Sequence, residues 1–131
     1  MLIRGKLASG KGEGRKYLSK KEYIKQFEEV LSFTPFSGTL NLLVEGKDYK
    51  KLQLLRKKGG IKISGFEENG KKFGAVDCFS CLINNKIRGA VVIPEKSHYK
   101  NIMEIISDKN LREALSLNDG DEVNILIYEF E

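Results

Sequence analysis

Short runs of alternating apolar and polar residues recur along this chain at close intervals, and they constrain its fold more than any other feature. Turn signals such as Asn69-Gly70 and Asn84-Asn85 separate them, and only a few stretches have helical spacing. Strands and helices do not alternate regularly, which argues against a parallel α/β sheet. The pattern predicts a mainly β fold, namely a small β-barrel with attached helices. Periodicity alone leaves the strand order open.

The predicted elements follow in chain order. Strands are predicted over residues 1–8, from Gly38 to Leu42, around Ile61, Ile63 and Phe66, from Lys71 or Lys72 to Ile83, from Lys86 to Ile93, and from Val123 to Tyr128. One helix is predicted to begin at a capping box of Ser19 and Glu22 and to pack its Tyr23, Phe27, Val30 and Leu31 face on a sheet. Further helices are predicted from Asp48 to Leu55, from Ser97 through Ile106, and from Ser107 or Asp108 to Leu115.

A glycine-rich loop, Ser9–Arg15, follows the first predicted strand and leads into the first helix. Its alternate glycines permit backbone conformations and close approaches that other residues do not. Successive N–H groups in such a turn form an anion-binding concavity, and Lys11 and Arg15 add positive charge. The glycine spacing is neither that of the P-loop nor that of the dinucleotide fingerprint. These residues alone leave phosphate binding and a simple tight turn equally open.

Polar side chains in two predicted elements are further candidates for a site. Alternation places Thr39 and Asn41 on one face of a strand whose other face is apolar. From these residues alone, a solvated strand face is the favoured interpretation of that pair. In the helix predicted through Ile106, Glu104 lies away from the apolar stripe, which indicates a surface glutamate unless a ligand lies in front of it. The helix start near residues 109–112 would offer N–H groups to an anion.

The composition limits the domain count and the partners. A chain of 131 residues, 40% of them hydrophobic, predicts one globular domain over residues 1–131. The formal charge of +5 favours anionic partners, either a nucleotide or a nucleic acid, although the basic Arg56–Gly60 stretch is interpreted as a solvated loop. Without a secretion signal or an apolar run of about 20 residues, the chain is expected in the cytoplasm and away from membranes.

Cys78 and Cys81 form a Cys-x-x-Cys pair, and they would point to opposite faces of a strand. A zinc site would need further ligands, and His98 is the one histidine. Buried free thiols are therefore the favoured interpretation.

Five segments become specific when they are taken together: Gly10–Arg15, Phe36–Leu42, Gly89–Pro94, Leu111–Glu113 and Asp119–Asp121. In this order and spacing, over nearly its whole length, the chain closely resembles the archaeal-type CTP-dependent riboflavin kinases. The resemblance implies a cradle-loop (RIFT-like) β-barrel. It also implies a magnesium-dependent phosphotransferase that moves the terminal phosphate of CTP to the 5′-hydroxyl of riboflavin, giving FMN and CDP.

The resemblance also implies the residues of the site. The nucleotide-binding residues would be Lys11, Gly12, Glu13, Gly14, Arg15 and Lys16, together with Lys109, Asn110, Leu111 and Arg112. Thr39 and Asn41 would bind Mg²⁺, an ion that prefers oxygen ligands and keeps waters and substrate phosphates in its shell. Ser97 and Glu104 would contact the flavin. Whether Glu104 orients the substrate or acts as a base is open, because phosphoryl transfer depends chiefly on alignment and charge stabilisation.

Two rival functions are compatible with the same residues. Cradle-loop barrels also serve as binding modules and as DNA-binding regulators, although nucleic acid is not the expected partner here. A second rival is an enzyme of the same barrel that phosphorylates another hydroxyl with another nucleotide. The expected kinase is a monomer or a weakly associating protein.

Overall fold

The computed structural model describes residues 1–9, 18–96 and 99–128 of the chain. Within these residues the strands are β1 (Leu2–Ala8), β2 (Leu40–Leu43), β3 (Ile61–Ile63), β4 (Phe66–Glu68), β5 (Lys71–Phe73), β6 (Val76–Ile83), β7 (Ile87–Pro94), β8 (Ile102–Ile106) and β9 (Glu122–Ile127). The helices described are α1 (Lys21–Leu31), α2 (Gly46–Lys58) and α3 (Leu111–Ala114).

Six strands close into an antiparallel barrel in the order β6–β7–β8–β2–β1–β9, and β9 pairs back with β6. The second half of β6 pairs with β9 through Cys81 opposite Ile127, while its first half pairs with β3 through Cys78 opposite Ile61. Strands β4 and β5 form a separate hairpin. Closure pairs the backbone groups that an open sheet leaves at its edges. It confirms the predicted small β-barrel with attached helices.

Every second residue of the barrel strands faces inwards, and these side chains fill the barrel interior. In β1 and β9, for example, Ile3, Leu7 and Ile125 are buried, while their chain neighbours Arg4 and Asn124 are exposed. Strand β2 contributes Leu40 and Leu42 and strand β8 contributes Met103 and Ile105 to the same core. Alternation with a period of two therefore divides each of these strands into an inner and an outer face.

A second apolar cluster covers part of the outer face. Tyr23 and Phe27 of α1 are buried against it, as predicted, whereas Val30 is exposed. Tyr23 also meets the β4–β5 hairpin, where its hydroxyl donates to the carbonyl of Gly74 at 2.7 Å. Phe66 and Phe73 of that hairpin stack at 4.9 Å between ring centroids. This cluster fastens α1 and the hairpin to one side of the barrel.

Strand β7 has no room for a side chain at Gly89. A Cβ atom at Gly89 would lie 2.5 Å from the carbonyl oxygen of Ile106 and 2.8 Å from the side chain of Ile83. Real Cβ contacts are essentially never so short, so any side chain would push the two strands apart. Close packing of the strands therefore explains why the Gly89–Pro94 segment begins with a glycine.

The helix predicted from Ser97 through Ile106 is wrong, because residues 102–106 form strand β8 between β7 and β2. Isoleucines at 102, 105 and 106 fit helical spacing, but the β-branched run also fits a strand that is buried on both faces. All five residues of β8 are buried. Glu104 is consequently a buried residue, only 5% exposed, and not the surface glutamate that one interpretation predicted.

Helix boundaries differ from the predicted ones in three places. Helix α1 has Lys20 and not Ser19 at its N-cap, and α3 has Asn110 and not Ser107 or Asp108. Helix α2 begins after Glu45 and runs to Lys58, so the basic stretch predicted as a loop starts in its last turn, where cations favour the carboxyl end of the helix dipole. Asp48 lies inside its first turn and accepts a hydrogen bond from the Arg4 N–H at 2.9 Å.

Turn predictions were more accurate. Asn69-Gly70 and Asn84-Asn85 both have positive φ at each residue and connect antiparallel strands, as the sequence predicts. The long strand predicted from Lys71 or Lys72 to Ile83 is divided at residues 74–75 into β5 and β6.

Neither cysteine forms a disulfide, and the two are buried on opposite sides of the barrel wall. Cys81 belongs to the inner core and Cys78 to the outer apolar cluster, which confirms the predicted alternation. Burial raises the pKa of the Cys81 thiol to about 12. Among the described helices, none combines the length and the apolar character needed to cross a membrane.

Candidate active site

Thr39 and Asn41 lie together on the outer face at the start of β2. Leu40 and Leu42, which alternate with them, are buried in the barrel core. The Thr39 hydroxyl donates to the Asn41 Oδ1 at 3.1 Å, so the two oxygen atoms are adjacent. Both side chains are half-buried. The structure therefore brings the predicted metal-binding pair together on one face.

Glu104 lies directly opposite Asn41 in the β2–β8 pairing. Directly opposed residues in an antiparallel pair have Cβ atoms about 4.5–5.5 Å apart on the same face. On its other side Glu104 is opposite Val92 of β7, a member of the outer apolar cluster. The carboxylate thus occupies the boundary between a polar pair and an apolar surface.

The end of β1 brings Ser9, the first residue of the glycine-rich segment, next to this group. Ala8 is opposite Asn41 in the β1–β2 pairing, and Ser9 follows it immediately before residue 10. The row of paired residues across the outer face therefore runs from Ala8 through Asn41 and Glu104 to Val92. The chain enters the glycine-rich loop one residue after this row.

Ser9 also contacts the second predicted nucleotide-binding segment. Its hydroxyl accepts from the Arg112 Nη2 at 2.9 Å and donates to the Asp119 Oδ1 at 2.7 Å. Arg112 Nη2 donates to the same Asp119 oxygen at 2.7 Å. These hydrogen bonds from Ser9 and Arg112 hold the pKa of the Asp119 carboxyl below its usual value. Ser9 and Asp119 both lie in segments that the sequence singles out, but the sequence alone predicts no binding or catalytic role for either residue.

The four residues from Lys109 to Arg112 present different groups. Asn110 caps α3 by accepting a hydrogen bond from the Glu113 N–H, and Leu111 buries its side chain in the barrel core. Lys109 is exposed and pairs with Asp108 at 3.2 Å. Only Lys109 and Arg112 of this segment therefore offer side-chain charge to an anion.

Seven of the predicted site residues lie outside the described part of the chain. They are Lys11, Gly12, Glu13, Gly14, Arg15, Lys16 and Ser97. The structure places the residues beside them, namely Ser9 before the loop and Glu95 and Lys96 before Ser97. The predictions for these seven residues stay predictions.

A cleft of about 730 Å³ opens beside the segment that leads to Ser97. Its described walls include the aromatic rings of Tyr23 and Phe73 and the amino groups of Lys20, Lys71, Lys72 and Lys96. Lys20 lies over the Phe73 ring, with its Nζ 5.0 Å from the ring centroid. A cleft of this size, with an aromatic wall and cations, is typical of a site for a flat organic ligand.

The oxygen atoms of Thr39 and Asn41 fit a hard cation that completes its shell with waters and phosphate oxygens. No group of three or more His, Cys, Asp or Glu residues suited to a metal occurs in residues 1–9, 18–96 and 99–128. A cation on Thr39 and Asn41 would need further ligands, which waters and the phosphates of a bound nucleotide can supply.

A closed six-stranded antiparallel barrel with three short helices among the described residues defines the class of small cradle-loop barrels. The family model with the short name CTP-dep_RFKase, described as "Domain of unknown function DUF120", matches residues 7–127. The chain belongs to this family of CTP-dependent riboflavin kinases, which confirms the resemblance noted from its motifs.

Relatives named riboflavin kinase support the same family. The protein from Thermoplasma acidophilum is 43% identical over 98% of this chain and 58% of its own length. That from Ignicoccus hospitalis is 46% identical over 96% of this chain and 70% of its own length. The Archaeoglobus fulgidus protein is 45% identical over 94% of this chain and 53% of its own length. The chain thus spans between about half and 70% of the length of these relatives.

Proposed function

We propose that this protein phosphorylates riboflavin at its 5′-hydroxyl with CTP as the donor, giving FMN and CDP. The riboflavin 5′-oxygen forms a bond to the γ-phosphorus, and the bond from that phosphorus to the β,γ-bridging oxygen breaks. CDP leaves with the bridging oxygen, and the hydroxyl proton is released. The family and the names of the relatives support the reaction class and the donor.

One observation carries the assignment to this site, namely that Asn41 and Glu104 oppose each other across β2 and β8. Under the proposal, Asn41 belongs to the metal and phosphate side and Glu104 to the flavin side. Their adjacency would bring an acceptor hydroxyl close to a metal-bound phosphate. Positioning of this kind supplies much of the catalysis in phosphoryl transfer.

Thr39 and Asn41 would hold Mg²⁺ through their side-chain oxygens. When bound, the ion would neutralise charge on the phosphates of the nucleotide. Because both protein ligands are neutral, they provide no formal charge to attract the cation. Metal affinity is therefore expected to depend on the nucleotide, and magnesium titration with and without CTP tests this dependence.

Glu104 would accept hydrogen bonds from the flavin, together with the Ser97 hydroxyl. Its burial at 5% exposure suits a group that fixes a ligand, because a buried side chain has few alternative positions. Val92, which opposes Glu104 on its other side, is buried in the outer apolar cluster and backs the carboxylate with apolar packing. An orienting role for Glu104 suffices for the reaction, since alignment and charge stabilisation are its main requirements.

FMN formation from riboflavin and Mg²⁺ tests the function directly. CTP, ATP, GTP and UTP are compared as donors at equal concentration, with product measured by chromatography and flavin fluorescence. The proposal expects turnover confined largely to CTP. Turnover with another nucleotide would support the riboflavin kinase activity but show that CTP is not the donor. Folded protein that makes no FMN with any donor would overturn the proposed function, and a salt-sensitive complex with DNA would then favour the regulator.

A further inference from the structure

One carboxylate joins Ser9, which precedes the first segment proposed to bind the nucleotide, to Arg112 of the second segment. Asp119 Oδ1 accepts from the Ser9 hydroxyl and from the Arg112 guanidinium, each at 2.7 Å, and Arg112 also donates to Ser9 at 2.9 Å. The three side chains form a closed triangle of hydrogen bonds. Ser9 and Arg112 are 103 residues apart in sequence, so this triangle connects two distant parts of the chain.

Backbone hydrogen bonds hold two corners of the triangle in place, those of Asp119 and Arg112. The turn that carries Asp119 is fastened to β1, because the Gly120 N–H donates to the Leu7 carbonyl and the Leu7 N–H donates to the Asp121 carbonyl, both at 2.8 Å. Arg112 lies in α3, and its carbonyl accepts from the Leu117 N–H at 2.8 Å. The triangle therefore connects anchored segments and does not depend only on long, mobile side chains.

The triangle contributes little to the stability of the fold. The Arg112 and Asp119 side chains are 41% and 62% exposed, and exposed ion pairs are worth little because water and salt screen them. Its consequence is geometric, since it fixes where the guanidinium lies. Within the described residues Arg112 donates to Ser9 and Asp119 through Nη2, and a guanidinium carries further N–H donors that suit a phosphate.

We infer that Asp119 is a positioning residue for nucleotide binding, because it holds Arg112 against Ser9 at the entry to the glycine-rich loop. The inference rests on the proposed function for the identity of the ligand. It adds a residue that would touch neither the nucleotide nor the flavin and would act through Arg112. Loss of the carboxylate charge would release the guanidinium and weaken nucleotide binding without changing the flavin site.

The test measures CTP binding by calorimetry with Mg²⁺ and without riboflavin, followed by steady-state kinetics. Asp119→Asn is expected to weaken CTP binding about tenfold, which corresponds to roughly 1.4 kcal/mol. Asp119→Glu, which restores the charge, is expected to recover most of this loss. The KM for riboflavin and the melting temperature should stay close to those of the unaltered protein.

Glu28→Gln is the matched control, because Glu28 is also an exposed carboxylate that accepts a hydroxyl hydrogen bond, from Thr34 at 2.8 Å. Ser9→Ala tests the hydrogen bonds of the Ser9 hydroxyl. The double variant Ser9→Ala/Asp119→Asn should lose less CTP-binding free energy than the sum of the losses in the two single variants. Unchanged CTP affinity in Asp119→Asn would overturn the inference. A loss that Glu28→Gln shares equally, or one explained by a lower melting temperature, would also overturn it.

The same experiment separates this inference from the proposed function. Protein that binds CTP but does not phosphorylate riboflavin defeats the proposed function, and the Asp119 variants still decide the inference through their CTP affinity. Protein that makes FMN while Asp119→Asn binds CTP normally defeats the inference alone. Unaltered protein that binds none of the four nucleoside triphosphates defeats both.

Discussion

Asn41 and Glu104 are directly paired residues of the antiparallel strands β2 and β8, and both belong to the outer face of the barrel. Their chain neighbours Leu42 and Ile105 are buried in the interior core. The pairing places an amide and a carboxylate side by side on a rigid wall. Replacing either side chain is therefore expected to change the site more than it changes the barrel.

Asn41→Ala should reduce FMN formation by about 100-fold or more, since replacing even the outer-shell partners of metal ligands typically costs about 10-fold to 100-fold. Folding should be nearly unaffected, because the side chain points away from the interior core. The measurement is turnover at several magnesium concentrations, together with a thermal melt. Asn124→Ala is the matched control, since Asn124 is an exposed asparagine on β9. A parallel loss of folded protein and activity would contradict the metal assignment.

Glu104→Gln should weaken riboflavin binding by roughly tenfold or more, since a hydrogen bond to a charged group contributes about 1.5–3 kcal/mol. The amide keeps the shape of the carboxylate, so the buried position is filled as before. Quenching of riboflavin fluorescence measures the affinity, with Glu122→Gln as an exposed control on β9. Equal riboflavin affinities for Glu104→Gln and the unaltered protein would remove Glu104 from the flavin site.

Gly89→Ala should destabilise the protein by about 1–3 kcal/mol, the cost of overpacking a well-filled region. The added Cβ would meet the Ile106 carbonyl oxygen at 2.5 Å, and a backbone atom in a paired strand cannot move aside cheaply. Denaturant unfolding provides the measurement. Gly38→Ala is the control, because the nearest atom there would be 3.6 Å away. A destabilisation by Gly38→Ala as large as that by Gly89→Ala would show that strand packing is not the cause.

The Cys81 thiol should resist thiol reagents at pH 8 in the folded protein, because burial raises its pKa from 9.0 to about 12 and keeps it protonated. Because the pKa is higher in the folded than in the unfolded protein, the protonated thiol contributes to the stability of the native state. This contribution is fully present below pH 9 and is lost as the pH rises from 9 towards 12. Colorimetric thiol titration before and after denaturation checks the prediction. Rapid labelling of native protein at both cysteines would contradict it.

Patterns within single segments predicted much of the fold, but long-range pairing decided the rest. Alternation in β1, β2 and β9 and the two asparagine-containing turns were recognisable because neighbours in sequence determine them. Strand β8 was not, since its isoleucines fit both periods and only the space between β7 and β2 selects a strand. The error also concealed the burial of Glu104.

The candidate site divides in the same way. The adjacency of Thr39 and Asn41 follows from a two-residue spacing on one strand. The opposition of Asn41 and Glu104 depends on strand order and register, which periodicity does not specify. The link from Ser9 to Arg112 spans 103 residues and involves exposed polar side chains without a hydrophobic pattern. Folding alone brings these groups together.

At the start of β2, Leu40 and Leu42 alternate with Thr39 and Asn41. A change that displaces the polar pair from the site therefore also displaces the leucines from the core. A slip of one residue in the β2 pairing would turn the amide inwards and both leucines towards solvent. Since such a slip would expose leucines and bury polar groups, a well-folded barrel that lacks the oxygen pair is strongly disfavoured. Deleting one residue between 38 and 43 should consequently yield aggregated protein and not a stable, catalytically silent barrel. Burial of the two leucines in the hydrophobic interior therefore also fixes the register in which Thr39 and Asn41 face the site.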